Sequence, residues 1–164
     1  MTAPSPPLLG HGFFWQDLAV GQRFRTFRRT VTEADLVGFV TLTGMLEPLF
    51  IDATEGGVLG HRPVPAALTH AIIEGLVLGG MARGTGLALL EVHQRPLAPV
   101  RVGDTIAAEV TVTALRPTSK GNRAVVETRI AVSNQRGETV MEYDVKRMLA
   151  GREPAAPDRE DTSP

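Results

Sequence analysis

Three small groups of ionisable residues in this chain have the types and spacing to move protons or grip anions. The first is Glu47, set between Met45, Leu46, Leu49 and Phe50 in the run from Gly44 to Asp52. A carboxyl among apolar neighbours loses hydration, so its pKa rises and it can give or take a proton near neutrality. The alternative is a loop carboxylate that caps backbone N–H groups or faces water. The second group is His61 and Arg62. The imidazole could point into a pocket while the guanidinium holds a phosphate or carboxylate, or both could stand exposed on a loop. The third is His70 and Glu74, four residues apart and therefore on one side of any helix that contains them. They could orient each other as an acid/base pair; an i,i+4 polar pair more often marks an interface or a solvated helix edge, which is the expectation here.

Other chemistry is excluded or unsupported. The chain has no cysteine, which removes disulfides, thiolate catalysis and cysteine-based metal sites. Its four histidines stand at no metal-ligand spacing, and His11 and His93 lack any ligand-like partner, so no metal is expected. No glycine-rich phosphate loop follows a strand, and no cofactor is expected. A net charge of −1 gives no long-range attraction to nucleic acid or an anionic membrane. Residues 1–7 have no basic start and no long apolar run, so no signal peptide is expected and the cytoplasm is the default compartment.

The elements that must position these groups are partly legible. With 164 residues, 43% of them hydrophobic, the chain can build one domain with a sizeable core. We expect disordered tails over 1–12, rich in proline, and over 151–164, with an ordered domain over 13–150. Gly21 to Val31 reads as a strand, though its alternation is imperfect. Thr32-Glu33-Ala34-Asp35 reads as a helix start, and Gly44 as its stop. Residues 45–65 form a loop. Pro63 and Pro65 hold off the next helix until near Ala66, and that helix is apolar over most of its surface. His70, Glu74 and three glycines make it a buried helix rather than a membrane span. Four β-rich runs follow, at 87–96, 105–115, 123–133 and 139–149, the last three joined by tight hairpin turns. This order indicates α+β, with a curved antiparallel sheet wrapped around the apolar helix.

The run Gly44-Met45-Leu46-Glu47-Pro48-Leu49-Phe50-Ile51-Asp52 resembles the motif Gly-Asp-x-Asn-Pro-x-His-x-Asp of MaoC-like (R)-specific enoyl-CoA hydratases. Gly44, Pro48 and Asp52 match; Met45 and Phe50 occupy the places of the catalytic Asp and His, and Glu47 that of Asn. Similar family-like segments are Phe14 to Gly21, Thr30 to Asp35, Arg62 to Thr69, Pro99 to Thr105 and Asn134 to Glu138, in the family's order. The resemblance implies a hot-dog fold, a homodimer or dimer of dimers, and an acyl-CoA or acyl-ACP partner. It implies hydration of trans-2-enoyl thioesters to 3-hydroxyacyl thioesters, or the reverse, with helix N-terminal amides near Ala66 and Ala67 polarising the carbonyl. Asp52 is expected to fix the loop. Met45, Phe50, His61, Arg62, Ala66 and Ala67 are the expected substrate-binding residues, and Glu47 is the candidate catalyst. Met45 and Phe50 cannot move protons, and an acid/base group contributes about 10²–10⁴-fold. A thioester-binding protein without catalysis, paired with an active relative, and a thioesterase are therefore the alternatives.

Overall fold

A computed structural model describes residues 9–54 and 59–153. Its centre is a six-stranded antiparallel sheet with helices on one side. The strands are β1 (Arg23–Arg25), β2 (Arg29–Thr30), β3 (Gly86–Pro96), β4 (Thr105–Pro117), β5 (Arg123–Ser133) and β6 (Thr139–Ala150). They run in the order β1-β4-β5-β6-β3, and β2 pairs with β4 beside β1. The helices are α1 (Glu33–Thr43), α2 (Pro48–Ile51) and α3 (Ala66–Gly80).

The long strands form because their apolar residues recur every second position. On β5, Ala124, Val126, Ile130 and Val132 are buried while their neighbours reach the outer face. The same alternation on β4 and β6 gives one apolar face, which packs on Leu68, Ile72, Ile73 and Val77 of α3. The two hairpins expected after 115 and 133 are present as the β4/β5 and β5/β6 pairs.

Three expectations need correction. The strand over 21–31 is broken in two, because the Thr26 hydroxyl accepts the Ala108 amide and donates to the Phe27 carbonyl. Side-chain bonding displaces the ladder there, and pairing resumes only at Arg29. The helix α3 is not covered on most sides: Ala67, Ala71, Gly75, Leu78 and Gly79 are exposed on the face away from the sheet. A single sheet of this curvature reaches only one side of a helix. Finally, the fold holds more chain than 13–150. The Gly12 amide donates to the Arg83 carbonyl (2.7 Å), and Gly151 donates to the Asn122 carbonyl (2.7 Å). Arg152 is tied to Asp17 (2.7 Å). Residues 1–8 and 154–164 of the expected tails lie outside the described residues.

The start of α1 follows its sequence signal. Thr32 and Asp35 form a reciprocal capping box, the Thr32 hydroxyl accepting the Asp35 amide and an Asp35 oxygen accepting the Thr32 amide. That amide bond, with help from the Thr32 hydroxyl and Arg29 against a smaller cost of burial, holds the Asp35 carboxyl below the usual carboxylate range. At the other end Gly44 adopts φ 70°, the left-handed conformation that turns the chain toward α2.

Candidate active site

The loop that carries the family-like spacing is built around α2. Pro48 opens that turn, with Glu47 as the preceding cap residue. The Glu47 side chain makes no capping bond and is exposed, so the apolar enclosure expected for it is absent. Its place at the outer start of the turn directs it to solvent, while Met45 and Phe50 are half-buried. Asp52 fixes the end of the turn, as expected: one of its oxygens accepts both the Thr54 amide (2.8 Å) and the Thr54 hydroxyl (2.6 Å).

The open space beside α3 lies elsewhere. A groove of about 310 Å³ runs along its N-terminus, bounded by Leu59, Val64, Ala66 and Thr69 on one side and by the 96–100 segment and Val140–Met141 on the other. The strand ends, rather than the segment around Pro48, form its second wall. Ala66 lines this groove; Met45, Glu47, Phe50, His61, Arg62 and Ala67 do not. Pro65 precedes the helix and offers no side-chain cap. Its carbonyl accepts the Leu68 and Thr69 amides (2.9 and 3.1 Å). The Ala66 and Ala67 amides meet no acceptor among the described residues. Two uncapped N–H groups at the positive end of a 15-residue helix can hold a developing oxyanion.

His61 and Arg62 are neither a free exposed pair nor part of the groove. Arg62 donates to Glu33 at the start of α1 (2.6 Å), which uses its charge to join two elements. The half-buried His61 donates from Nδ1 to the Arg62 carbonyl (3.2 Å), leaving Nε2 buried without a partner.

His70 and Glu74 are brought together with two residues of β6. The Tyr143 hydroxyl donates to Glu74 Oε1 (2.9 Å), and so does Arg147 Nη2 (3.1 Å). The His70 ring meets the Tyr143 ring edge-on, with centroids 4.7 Å apart. Burial lowers the His70 pKa below its ordinary 6.5, an effect the Glu74 carboxylate opposes and Arg147 reinforces. Burial, and then the Glu74 charge, push the Tyr143 phenol well above its usual value, so it remains a donor. His70 Nδ1 and Arg147 Nε are buried with no partner. The expected interface or solvated edge is thus half right: the pair borders the open face of α3, but Glu74 is held from beneath. Tyr143 and Arg147 did not stand out in the sequence; the inward parity of β6, which puts them on the same face as Met141 and Val145, was the available signal. Among the described residues, no three His, Asp or Glu side chains gather as a metal site requires.

Residues 18–143 match the FAS1-like dehydratase domain region family. The chain belongs to it. An (R)-specific enoyl-CoA hydratase of Rhodospirillum rubrum is 31% identical to this dehydratase-family chain over 109 residues, covering 65% of the chain and 74% of the relative. A solved MaoC-like dehydratase from the same organism superposes with a TM-score of 0.78 at 28% identity, covering 87% of this chain and 100% of that one. A Mycobacterium tuberculosis protein described as a double hotdog fold shares the architecture alone: TM-score 0.73, 18% identity, 89% of this chain and 46% of that one. The hot-dog fold and MaoC-like membership read from the sequence therefore hold. In the loop, Gly44, Pro48 and Asp52 serve as turn structure, with Met45 and Phe50 half-buried beside them.

Proposed function

We propose that this MaoC-like protein acts on an acyl thioester, adding water to a 2-enoyl thioester or removing it from the 3-hydroxyacyl form. The observation that carries this reading is the uncapped N-terminus of α3, opening its Ala66 and Ala67 amides beside an apolar groove. A thioester carbonyl seated there gains charge as water adds, and fixed amide dipoles hold that charge without reorganising. CoA and acyl-carrier thioesters share the pantetheine arm. A scan of enoyl-CoA and enoyl-pantetheine substrates, following loss of the conjugated thioester absorbance, tests the reaction and shows how much the remainder of CoA matters. Formation of the 3-hydroxyacyl thioester supports the reading; free thiol release in its place identifies a thioesterase.

A second reading is favoured by the apolar side chains at Met45 and Phe50. Here the chain is the acyl-binding half of a pair whose active relative supplies the proton-moving groups. It expects saturable acyl-CoA binding with no product from this chain alone, and product when the relative is added.

In either reading the protein works as a pair of hot-dog units, and we take a second copy as the default partner. The sheet ends at β3, whose outer edge pairs with no strand among the described residues, and Leu87, Leu89 and Leu90 are exposed along it. The exposed Ala67, Ala71, Gly75 and Leu78 extend the apolar surface onto α3. The unpaired edge of this eleven-residue strand, apolar over Leu87–Leu90, invites pairing unless it is covered. Sedimentation of the native protein as a dimer, and of Leu89→Asp as a monomer, is the expected result. A cysteine-free chain with no helix among the described residues long and apolar enough to cross a membrane is compatible with the cytoplasm as its compartment.

A further inference from the structure

Two rows of side chains lead from the groove into the polar cluster. On α3 the row is Ala66, His70, Glu74, each one turn beyond the last. On β6 it is Met141, Tyr143, Val145, Arg147, all facing the helix. Four helical residues advance about 6 Å, and two strand residues about 6.6 Å, so the rows stay in step. Ala66 and Met141 line the groove, His70 lies against Tyr143, and Glu74 lies against Tyr143 and Arg147. Helical side chains tilt toward the N-terminus of their helix, so the His70 imidazole leans over the turn that begins at Ala66.

We propose that His70 is the group that moves the proton in the hydration reaction, with Glu74 as its positioning residue. The inference rests on the thioester reading above and supplies a proton-moving group within the fold, where Met45 and Phe50 carry none and Glu47 faces solvent. Three features separate this cluster from an ordinary buried ion pair. Its histidine makes no hydrogen bond among the described residues, and of its ring nitrogens only Nδ1 is enclosed. Both bonds to Glu74 fall on Oε1, leaving Oε2 unengaged. And the carboxylate is fixed by a phenol and a guanidinium from a neighbouring strand, the arrangement that keeps an orienting group still while its partner changes charge.

With the thioester oxygen at the Ala66 and Ala67 amides, the chemistry balances on this one residue. His70 Nε2 takes a proton from water as the water oxygen bonds to C3. The C2=C3 electron pair moves toward the thioester carbonyl, and the resulting enolate recovers the proton at C2 from the imidazolium. Water is the only reagent consumed, and the histidine ends neutral.

The experiment uses full-length protein and crotonyl-CoA, with 2-hexenoyl-CoA as a second probe. His70→Gln should lower kcat at least about 10²-fold, the scale of a lost acid/base group, with KM changed less than threefold and an unchanged melting temperature. His70→Ala should regain turnover on addition of free imidazole, which a merely structural role would not allow. Native activity should fall on the acid side as His70 takes up its proton. Glu74→Gln should move that limb to lower pH, because the carboxylate raises the histidine's pKa against its burial. Tyr143→Phe, which keeps the ring and the Glu74 charge, serves if Glu74→Gln fails to fold; the limb should then stay where it is in the native protein, and a shift to lower pH would deny Glu74 its role in setting it. Turnover in His70→Gln within threefold of native, or its loss only in Glu47→Gln, overturns this inference and leaves the thioester reading standing. Native protein that hydrates no enoyl thioester in the scan overturns both.

Discussion

Asp104 and Glu74 are both acids packed against arginine inside this protein, yet their oxygens are used differently. Asp104 is saturated. One oxygen accepts Gln135 (2.7 Å) and Arg136 (3.2 Å), and the other accepts the Arg101 amide (2.9 Å). Burial alone would raise its pKa, but these three partners outweigh it and hold the carboxyl below the usual range. The bonds tie the turn before β4 to the β5/β6 hairpin, and the Asp104 carbonyl accepts the Val31 amide at the entry to α1. Glu74 is half used, and the arginine and histidine beside it each keep a buried nitrogen without a partner. A saturated cluster has nothing left to offer a substrate. One that keeps spare donors and acceptors, with His70 one helical turn beyond Ala66 in the groove wall, does, and the two should separate stability from turnover.

The largest expected effect comes from breaking the Glu74 cluster. The Arg147 side chain is 4% exposed and that of Glu74 13%. Glu74→Ala strands a buried guanidinium and should cost about 3–5 kcal/mol in chemical denaturation. Replacing both partners, Glu74→Leu with Arg147→Met, should restore most of that stability, because two apolar groups need no counter-charge. Turnover should stay low in the double variant. Recovery of both stability and turnover would make the cluster a structural ion pair and erase its contrast with Asp104.

Asp104→Ala should come next, at about 1–3 kcal/mol for the donors it strands, with turnover per folded molecule unchanged. Its contribution also depends on pH. Because the folded pKa is depressed, the stabilisation is present above the unfolded value of about 3.9 and is lost as pH falls through the folded one. Native protein should therefore lose stability in acid more steeply than Asp104→Asn. Equal acid profiles would remove Asp104 as the cause. The smallest effect should be Thr32→Ala, about 1 kcal/mol from a lost helix cap, with no change in turnover.

Much of the fold was legible because it depends on local chemistry. The Thr32–Asp35 box, the left-handed Gly44, the prolines before Ala66 and the alternation of β4, β5 and β6 each act within a few residues. The site was less legible. The Gly44–Asp52 spacing identified the family, yet it drew attention to Glu47, which faces solvent. His70 and Glu74 were visible as a spacing and read as a solvated edge, since a helix alone cannot say what lies beneath its flank. Tyr143 and Arg147 are separated from them by about seventy residues and became partners only when β6 was laid beside α3.

The sequence by itself determined the start and stop of α1, the start of α3, the long strands with their apolar faces, and that Met45 and Phe50 carry no group able to move protons. These properties come from side-chain type and period, which the chain carries before it folds. Only the tertiary structure decided where the groove opens, which face of α3 is left bare, and which polar atoms are enclosed without a partner. Those depend on surfaces from distant segments meeting, and the desolvation that shifts the His70 and Tyr143 pKa values exists only once they have met.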